Sequence, residues 1–196
     1  MEKIRDFLKK SFYNAFSFYK EERLDEAKEI ILETKDLWFN HRDRYKFMTL
    51  LSLIYIKLNE LNIAERILLE ALSLVPGNLR ILDLLGNIYL KKNRYKEAEK
   101  IYKKAKKEDS YNFDITLKLA YISMCLNDYD KMINILKEGY RFDFIGENEE
   151  KKLKSFLVDF LKRINYENSF YIIKDFRKWW IREKKIKNKR INSFKF

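Results

Sequence analysis

The sequence contains very few of the residues that build catalytic and metal sites. Among 196 residues there are one cysteine, one histidine, one proline and four glycines. A single cysteine excludes an internal disulfide, and Cys125 lies in an apolar stretch typical of a buried structural thiol. One histidine cannot form a zinc cluster, and four scattered glycines cannot form a phosphate-binding loop. The sequence therefore predicts no metal, no cofactor and no enzymatic activity.

Long apolar runs are also missing. The first residues, MEKIRDFLKK, are charged, and no apolar run has the length of a signal peptide or of a transmembrane helix. These features favour a cytoplasmic protein. Charged residues make up 37% of the chain and low-complexity stretches are absent, which leaves little room for a flexible linker. We therefore expect one domain.

A pattern that recurs every 34 residues dominates the rest of the sequence. The step aligns leucine, small, asparagine and larger apolar positions: Leu51, Leu85, Leu119; Ser52, Gly86, Ala120; Asn59, Asn93, Asn127; Ala64, Ala98, Met132; Leu68, Tyr102, Leu136; Ala71, Ala105, Gly139. So many matches at one period predict an array of helical hairpins. The asparagines mark the turn, because asparagine tolerates the left-handed backbone that ends a helix. The small residues let the two helices of a hairpin approach closely.

One stretch carries a specific family resemblance. The order Leu85-Gly86, Tyr89, Ala98, Tyr102, Ala105 and Ser110-Tyr111-Asn112 resembles the tetratricopeptide repeat. Residues 45–78 match at corresponding places: Leu51, Ser52, Tyr55, Ala64, Leu68, Ala71, Pro76. Residues 113–146 match less well, with Ser123, Met132 and Phe144 where the family has an aromatic residue, a small residue and proline. The resemblance implies an all-α fold, a right-handed α-solenoid of helix-turn-helix repeats.

The repeat sets the expected organisation of the chain. We place repeats at about 8–41, 45–78, 79–112 and 113–146 in a single repeat domain over 1–176. The first repeat is offset by 37 residues, because three residues are inserted near His41 to Arg44. Apolar stripes then predict a closing pair of amphipathic helices at about 149–185. A basic C-terminal tail follows at 186–196.

The resemblance also implies where function lies. In this family the first helices of the hairpins form a concave groove that holds peptide segments of partner proteins. The corresponding residues form the predicted groove set: Phe12, Phe16, Tyr19, Lys20, Thr49, Leu53, Ile56, Lys57, Asp83, Asn87, Leu90, Lys91, Leu117, Tyr121. Lys9, Lys46 and Arg80 occupy equivalent places along one edge. An apolar groove with basic edges favours a peptide that combines apolar anchors with carboxylates.

Two alternatives to this interpretation stay open. The groove residues could pack against neighbouring first helices or be covered by the C-terminal helices.

One family subtype clamps the C-terminal carboxylate of Hsp70 and Hsp90 through Lys and Asn side chains. Here Phe12, Phe16, Thr49 and Leu53 fill those places, so the sequence does not favour that subtype.

The basic C-terminal region supports a second functional hypothesis. Residues 177–196 carry nine basic residues and a single acid, Glu183. Their net charge is therefore 9 − 1 = +8, compared with +12 for the whole chain. The candidate contacts to nucleic acid or to an anionic membrane surface are Lys178, Arg182, Lys184, Lys185, Lys187, Lys189, Arg190. Trp179 and Trp180 could stack on bases or lie in a lipid interface. The competing view is that the tryptophans close the array and the lysines keep its end soluble.

Overall fold

The computed structural model describes residues 2–140, 146–163 and 174–186, and within these ranges the chain is helical with short turns and contains no strand. The helices, in chain order, are α1 (Glu2–Lys20), α2 (Leu24–Glu33), α3 (Lys35–Phe39), α4 (Arg44–Lys57), α5 (Leu61–Leu74), α6 (Leu79–Lys91), α7 (Tyr95–Glu108), α8 (Phe113–Cys125), α9 (Tyr129–Tyr140), α10 (Glu147–Arg163) and α11 (174–186). The pairs α1/α2, α4/α5, α6/α7 and α8/α9 occupy the four predicted repeats. The all-α prediction is confirmed.

Each hairpin turn contains one residue in the left-handed region. The φ angles are 63° at Glu22, 61° at Asn59, 55° at Asn93 and 60° at Asn127. The next amide then donates back to the first helix, as from Arg94 to the carbonyl of Tyr89 at 2.8 Å. This hydrogen bond satisfies a carbonyl that the helix end leaves open. The predicted role of the asparagines is confirmed, and Glu22 takes the same place 37 residues before Asn59.

The starts of two first helices are fixed by another pair of asparagines. The side chain of Asn78 accepts a hydrogen bond from the amide of Ile81 at 3.1 Å, and that of Asn112 accepts one from Ile115 at 3.2 Å. Both residues are extended N-caps, with ψ near 107°. An asparagine in this place satisfies an amide that has no partner inside the helix. Asn78 and Asn112 therefore fix where α6 and α8 begin.

The described residues divide into two compact units, one up to Lys104 and one from Ala105 onward. In the first unit the predicted small positions Ala64, Ala71 and Ala98 are completely buried. Gly86 is buried against the ring of Tyr102. Tyr55 occupies a packing position of the repeat, which predicts a buried side chain, but it is only half-buried because it borders an open cavity.

The inserted residues of the first unit follow a short helix that the sequence did not predict. In α3, Trp38 is buried, and its ring stacks on Phe47 with centroids 5.5 Å apart. Its indole Nε1 donates to the carbonyl of Ile31 at 2.8 Å. Phe39, beside it, stays 41% exposed. Trp38 therefore packs at the junction between the first and second repeats, whereas Phe39 forms part of the surface.

The second unit has a core that α8 and α9 share with the last two helices. The buried members of this cluster are Phe113, Ala120, Met124, Met132, Leu136, Tyr140, Leu153, Leu157, Phe160, Phe176. The stripe predicted on 149–164 thus packs inward through Leu153, Leu157 and Phe160. Residues 164–173, which fall within the predicted closing pair, and Phe144 lie outside the described residues.

Candidate functional site

An open cavity of about 300 Å³ lies in the first unit, between α1, α4 and the start of α6. This first cavity is lined by Phe12, Tyr13, Phe16, Tyr45, Lys46, Thr49, Leu50, Leu53, Asn78, Arg80. Four of these, Phe12, Phe16, Thr49 and Leu53, belong to the predicted groove set. Most of the lining is aromatic or aliphatic, which is typical of a surface that buries an apolar anchor.

A row of stacked rings forms the α1 side of the first cavity. The rings of Phe12 and Phe16 are 6.5 Å apart and nearly parallel, and Phe16 and Tyr19 are 6.3 Å apart. Spacings of four and three residues place these side chains on one face of the helix. Phe12 also meets Phe47 edge to face at 5.3 Å. The ring contacts restrict the side-chain rotamers, so this wall is already ordered without a ligand.

Two cations border the first cavity. The Nζ of Lys46 lies 3.2 Å from a carboxylate oxygen of Asp43, in an exposed pair. Arg80 is exposed and makes no ion pair with any residue in the described ranges. An exposed ion pair contributes little and is easily exchanged. Both cations can therefore receive a carboxylate from outside.

The other predicted lysines of the first unit are engaged differently. The Nζ of Lys20 lies 4.8 Å from the ring centre of Phe16, and that of Lys57 lies 4.7 Å from Tyr19. Lys57 also pairs with the carboxylate of Glu22. These cation–π contacts hold positive charge next to the aromatic row. Lys91, by contrast, is simply exposed.

Two predicted groove residues of α6 form a polar cluster with α7. Asn87 Nδ2 donates to Asp83 Oδ2 at 3.1 Å, and the Tyr102 hydroxyl donates to Asn87 Oδ1 at 2.8 Å. Burial, followed by the charge of Asp83, raises the pKa of Tyr102 far above its ordinary value. The cluster fixes the orientation of Tyr102. Asp83 and Asn87 do not line the first cavity.

The rest of the predicted set in the first unit lies beside the cavity. Tyr19, Ile56 and Leu90 are half-buried and are not part of the cavity lining. The structure therefore gathers the predicted residues of the first two hairpins more closely than those of the third.

In the second unit, the predicted groove residues of α8 meet the closing helices. Leu117 and Tyr121 are partly buried and pack against the hydrophobic cluster of α8 to α11. The guanidinium of Arg163, in α10, lies 5.5 Å from the ring centre of Tyr121. Burial raises the pKa of Tyr121. These contacts reduce the surface that both side chains offer to a ligand.

Part of the predicted polyanion set lies on α11. Lys178, Arg182 and Lys185 are exposed and, with Ile181 and Ile186, border a hollow of about 320 Å³. Lys184 instead pairs with Glu150 at 2.6 Å. Lys187, Lys189 and Arg190 lie outside the described residues.

The two tryptophans of α11 face the core of the second unit. Trp179 lies 5.8 Å from the ring of Tyr140 and 5.4 Å from that of Phe176. Trp180 meets the Tyr140 ring edge to face at 6.1 Å. Burial, with the charge of Glu150, raises the pKa of Tyr140 to about 12. The rings therefore close the hydrophobic cluster, as the competing view of the sequence held.

Sequence reasoning missed four residues of the first cavity. Tyr13, Tyr45, Leu50 and Asn78 line it but were not assigned to the groove. Tyr13 follows Phe12 directly and is 60% exposed, an unusual exposure for a tyrosine in an otherwise amphipathic helix. Asn78 is the N-cap of α6 and lies outside any helical face. In the sequence, the aromatic residue Tyr13 next to Phe12 could have indicated a binding surface, whereas nothing marked the cap residue Asn78.

Within residues 2–140, 146–163 and 174–186, no three Cys, His, Asp or Glu side chains are grouped so that they could hold a metal ion. Nor does any helix in the described part of the chain combine the length and the apolar character that a membrane span requires.

Two segments of the chain match sequence models of the tetratricopeptide repeat, at residues 45–78 and at residues 81–110. These two segments are therefore tetratricopeptide repeats. They cover the two central hairpins, α4/α5 and α6/α7. A search of curated protein sequences gives no significant match.

Solved structures with a similar fold include several tetratricopeptide repeat proteins. MamA RS-1, in its ArsTM double mutant form, matches with a TM-score of 0.64 and 14% identity over 89% of this chain and 95% of its own. A tetratricopeptide repeat protein from Parabacteroides merdae matches with a TM-score of 0.64 and 13% identity, over 85% and 73%. The first TPR of Spaghetti (RPAP3), bound to the HSP90 peptide SRMEEVD, matches with 0.53 and 22% identity, over 60% and 93%. These similarities show the fold class, the α-solenoid of helical repeats.

Proposed function

We propose that this protein is a non-catalytic interaction module that holds a peptide segment of a partner protein in the first cavity. The observation that carries the proposal is the combination of a preordered aromatic wall with two exposed cations, Lys46 and Arg80, at its border. Apolar anchors that enter such a cavity supply most of the binding free energy of an interface. The protein acts as an adaptor or scaffold, and recognition is its only chemistry.

The cavity defines the chemistry of the peptide. Phe12, Phe16 and Leu53 accept an aliphatic or aromatic side chain, and Thr49 lies buried beside them. A carboxylate on the peptide then reaches Lys46 or Arg80. Exposed cations mainly speed association and select acidic partners, whereas buried apolar contacts slow dissociation. The expected partner segment is therefore acidic with one or two large apolar residues.

A protein of the same fold offers a parallel for peptide binding. The RPAP3 domain is bound to SRMEEVD, a sequence that combines Glu and Asp with Met and Val. At 22% identity the likeness concerns the fold, so the ligand of that domain is not transferred to this chain. In this chain the aromatic wall, not a cluster of Lys and Asn, carries the proposed contact.

A basic face on α11 supports a second candidate function, the binding of a polyanion. Lys178, Arg182 and Lys185 are exposed and unpaired within the described ranges, next to Ile181, which is 49% exposed. Attraction between such a face and nucleic acid or anionic lipid is largely non-specific. Because Trp179 and Trp180 pack inward, stacking on bases does not add to it. We therefore favour the peptide-binding function.

A peptide-display experiment tests the first cavity directly. A library of random short peptides is selected on the immobilised full chain, and selected peptides are then measured by fluorescence anisotropy. Phe16→Ala should weaken binding about tenfold or more, and Lys46→Glu should weaken it less, mainly by slowing association. Lys9→Glu is the matched control, because Lys9 occupies the same repeat position as Lys46 but does not line the cavity. Equal affinities for the parent, Phe16→Ala and Lys46→Glu would overturn the proposal.

A further inference from the structure

A second cavity, of about 330 Å³, lies in the first unit between α2, α3, α4 and α5. Its apolar lining includes Leu32, Met48, Leu51, Ile63, Ile67. Met48 and Leu51 are buried, whereas Leu32 is 42% exposed. The cavity therefore has a buried apolar base and an open apolar edge, and its size is in the range of ligand-binding clefts.

The second cavity is separate from the first one. On α4, the first cavity takes Thr49 and Leu53, and the second takes Met48, Leu51 and Tyr55. Successive residues of an α-helix are rotated by about 100°, so these two sets lie on opposite faces of α4. No lining residue is common to both cavities. One molecule of this chain can therefore present two binding surfaces.

The unpredicted helix α3 builds one wall of the second cavity. Trp38 is fixed there by its hydrogen bond to the Ile31 carbonyl and by stacking on Phe47. Phe39 is also part of the lining, and the guanidinium of Arg44 lies 5.5 Å from its ring centre. This wall lies next to the three-residue insertion of the first repeat. Among the described residues, the other hairpins have no short helix equivalent to α3.

The charges at the second cavity are unbalanced. Lys35 and Arg66 line it, and neither makes an ion pair with a residue that the structure describes. Glu70 is the one acidic residue of the lining. Two cations against one carboxylate favour a ligand that brings negative charge.

We propose that the second cavity is a docking site for a peptide segment of a protein partner, with one aliphatic or aromatic anchor and at least one carboxylate. The exposed apolar residues around α3 favour a peptide over a small carboxylic acid. Leu37 and Phe39 are 43% and 41% exposed on this helix, beside Leu32. A polypeptide that inserts one side chain covers neighbouring surface as well, which a small molecule cannot do. This proposal does not depend on peptide binding by the first cavity.

Matched variants are available because the chain is a repeat. Leu32→Asp and Arg66→Glu change the second cavity. Leu69 is the repeat equivalent of Leu32 and is 45% exposed, and Lys100 is the equivalent of Arg66; neither lines the cavity. Leu69→Asp and Lys100→Glu therefore introduce the same charges at comparable surface positions. Thermal melts of all four variants verify that each one is folded.

The test uses the same random peptide library, displayed on phage and selected on the full chain. We expect one class of peptides, enriched in Asp or Glu next to Leu, Ile or Phe, to lose affinity about tenfold or more in Leu32→Asp and in Arg66→Glu. The same peptides should bind the two control variants and Phe16→Ala as tightly as the parent.

The outcomes separate the two cavities. Peptides that respond only to Phe16→Ala and Lys46→Glu would overturn the second site and support the first. Peptides that lose affinity only in Leu32→Asp and Arg66→Glu would support the second site and overturn the first. A selection without enriched peptides, or peptides without a carboxylate, would overturn this proposal.

Discussion

A side chain at position 86 would collide with Tyr102: a Cβ built on Gly86 lies 2.5 Å from Cζ of that ring. The ring of Tyr102 is completely buried, and its hydroxyl donates to Asn87. It therefore cannot move away without losing a hydrogen bond and its packing. The close approach of α6 and α7 depends on this pair.

Gly86→Ala should consequently destabilise the protein. Alanine favours a helix over glycine by roughly 1 kcal/mol, but overpacking of a filled core costs about 1–3 kcal/mol, so we expect a net loss of stability. Gly86→Leu should lose more. The measurement is chemical denaturation of each variant. A variant Gly86→Ala/Tyr102→Leu, in which the ring is removed, should show a smaller effect of the alanine, and an additive double mutant would contradict the assigned contact.

The sequence predicted the close approach of α6 and α7 through the small residue Gly86, but it did not predict that Gly86 meets Tyr102. The positions of Gly86, Ala98 and Tyr102 recur every 34 residues, because the two helices of each hairpin pack against each other in the same way. Asn93 and Asn127 were equally predictable, because a left-handed turn restricts the residue type strongly. The helix α3 was not predictable, since it lies next to an insertion that has no equivalent in the other repeats.

Part of the first cavity was predictable from the repeat. Phe12, Phe16 and Leu53 line the first cavity as their positions in the repeat indicated. Asp83 and Asn87 occupy equivalent positions but bond to each other, and Asn87 also accepts from Tyr102. A polar residue has the same sequence pattern whether it faces a ligand or a neighbour.

In the second unit, too, the sequence pattern does not show which residue a predicted groove side chain contacts. Tyr121 meets Arg163 of α10, a helix that does not follow the repeat. The packing partner of Tyr121 could not be predicted from the 34-residue repeat, because α10 has no equivalent in the other repeats.

The left-handed turn at Asn59 gives a second prediction. Its φ of 61° is strained for alanine but not for glycine. Asn59→Ala should be less stable than Asn59→Gly by about 1 kcal/mol, and the glycine variant should lie close to the parent. Asn59 is exposed, so loss of packing does not complicate the comparison. Equal thermal midpoints for the two variants would show that the turn is not under this constraint.

A third prediction concerns the ion pairs of Glu65. Its carboxylate lies 2.5 Å from Lys92 Nζ and 2.7 Å from Arg94 Nη1, and its side chain is only 14% exposed. Burial by itself would raise the pKa of Glu65, but the hydrogen bonds from Lys92 and Arg94 outweigh it and lower the pKa below the ordinary 4.5. The folded state therefore favours the ionised form.

The sign of the pH dependence follows from this shift. Glu65 stabilises the fold fully above pH 4.5, and its contribution decreases as the pH falls through the lower pKa of the folded state. Glu65→Gln should cost about 1–2 kcal/mol at neutral pH and less at pH values below 4.5. Glu26→Gln is the control, because its pair with Arg23 is exposed and should contribute little. A cost of Glu65→Gln that stays constant across the acid range would contradict the role of the charge.

The last prediction separates the peptide-binding function from polyanion binding through their dependence on residues and salt. For a peptide held by the first cavity, Phe16→Ala or Leu53→Ala should weaken binding by about 1–3 kcal/mol, because buried anchors carry most of an interface's free energy. Deletion of residues 187–196 should leave the affinity unchanged. Raising the salt concentration should slow association with only a modest loss of affinity, since exposed cations such as Arg80 steer more than they hold.

A polyanion binder would behave in the opposite way. Its affinity would fall steeply with salt, in proportion to the number of phosphates contacted, and Lys178→Glu with Arg182→Glu would weaken it further. Phe16→Ala and Leu53→Ala would have no effect. Anisotropy titrations of a selected peptide and of a fluorescent single-stranded oligonucleotide, each at two salt concentrations, measure both patterns on the same variants. Tight oligonucleotide binding that depends on α11, together with peptide binding that ignores Phe16 and Leu53, would contradict the peptide-binding function.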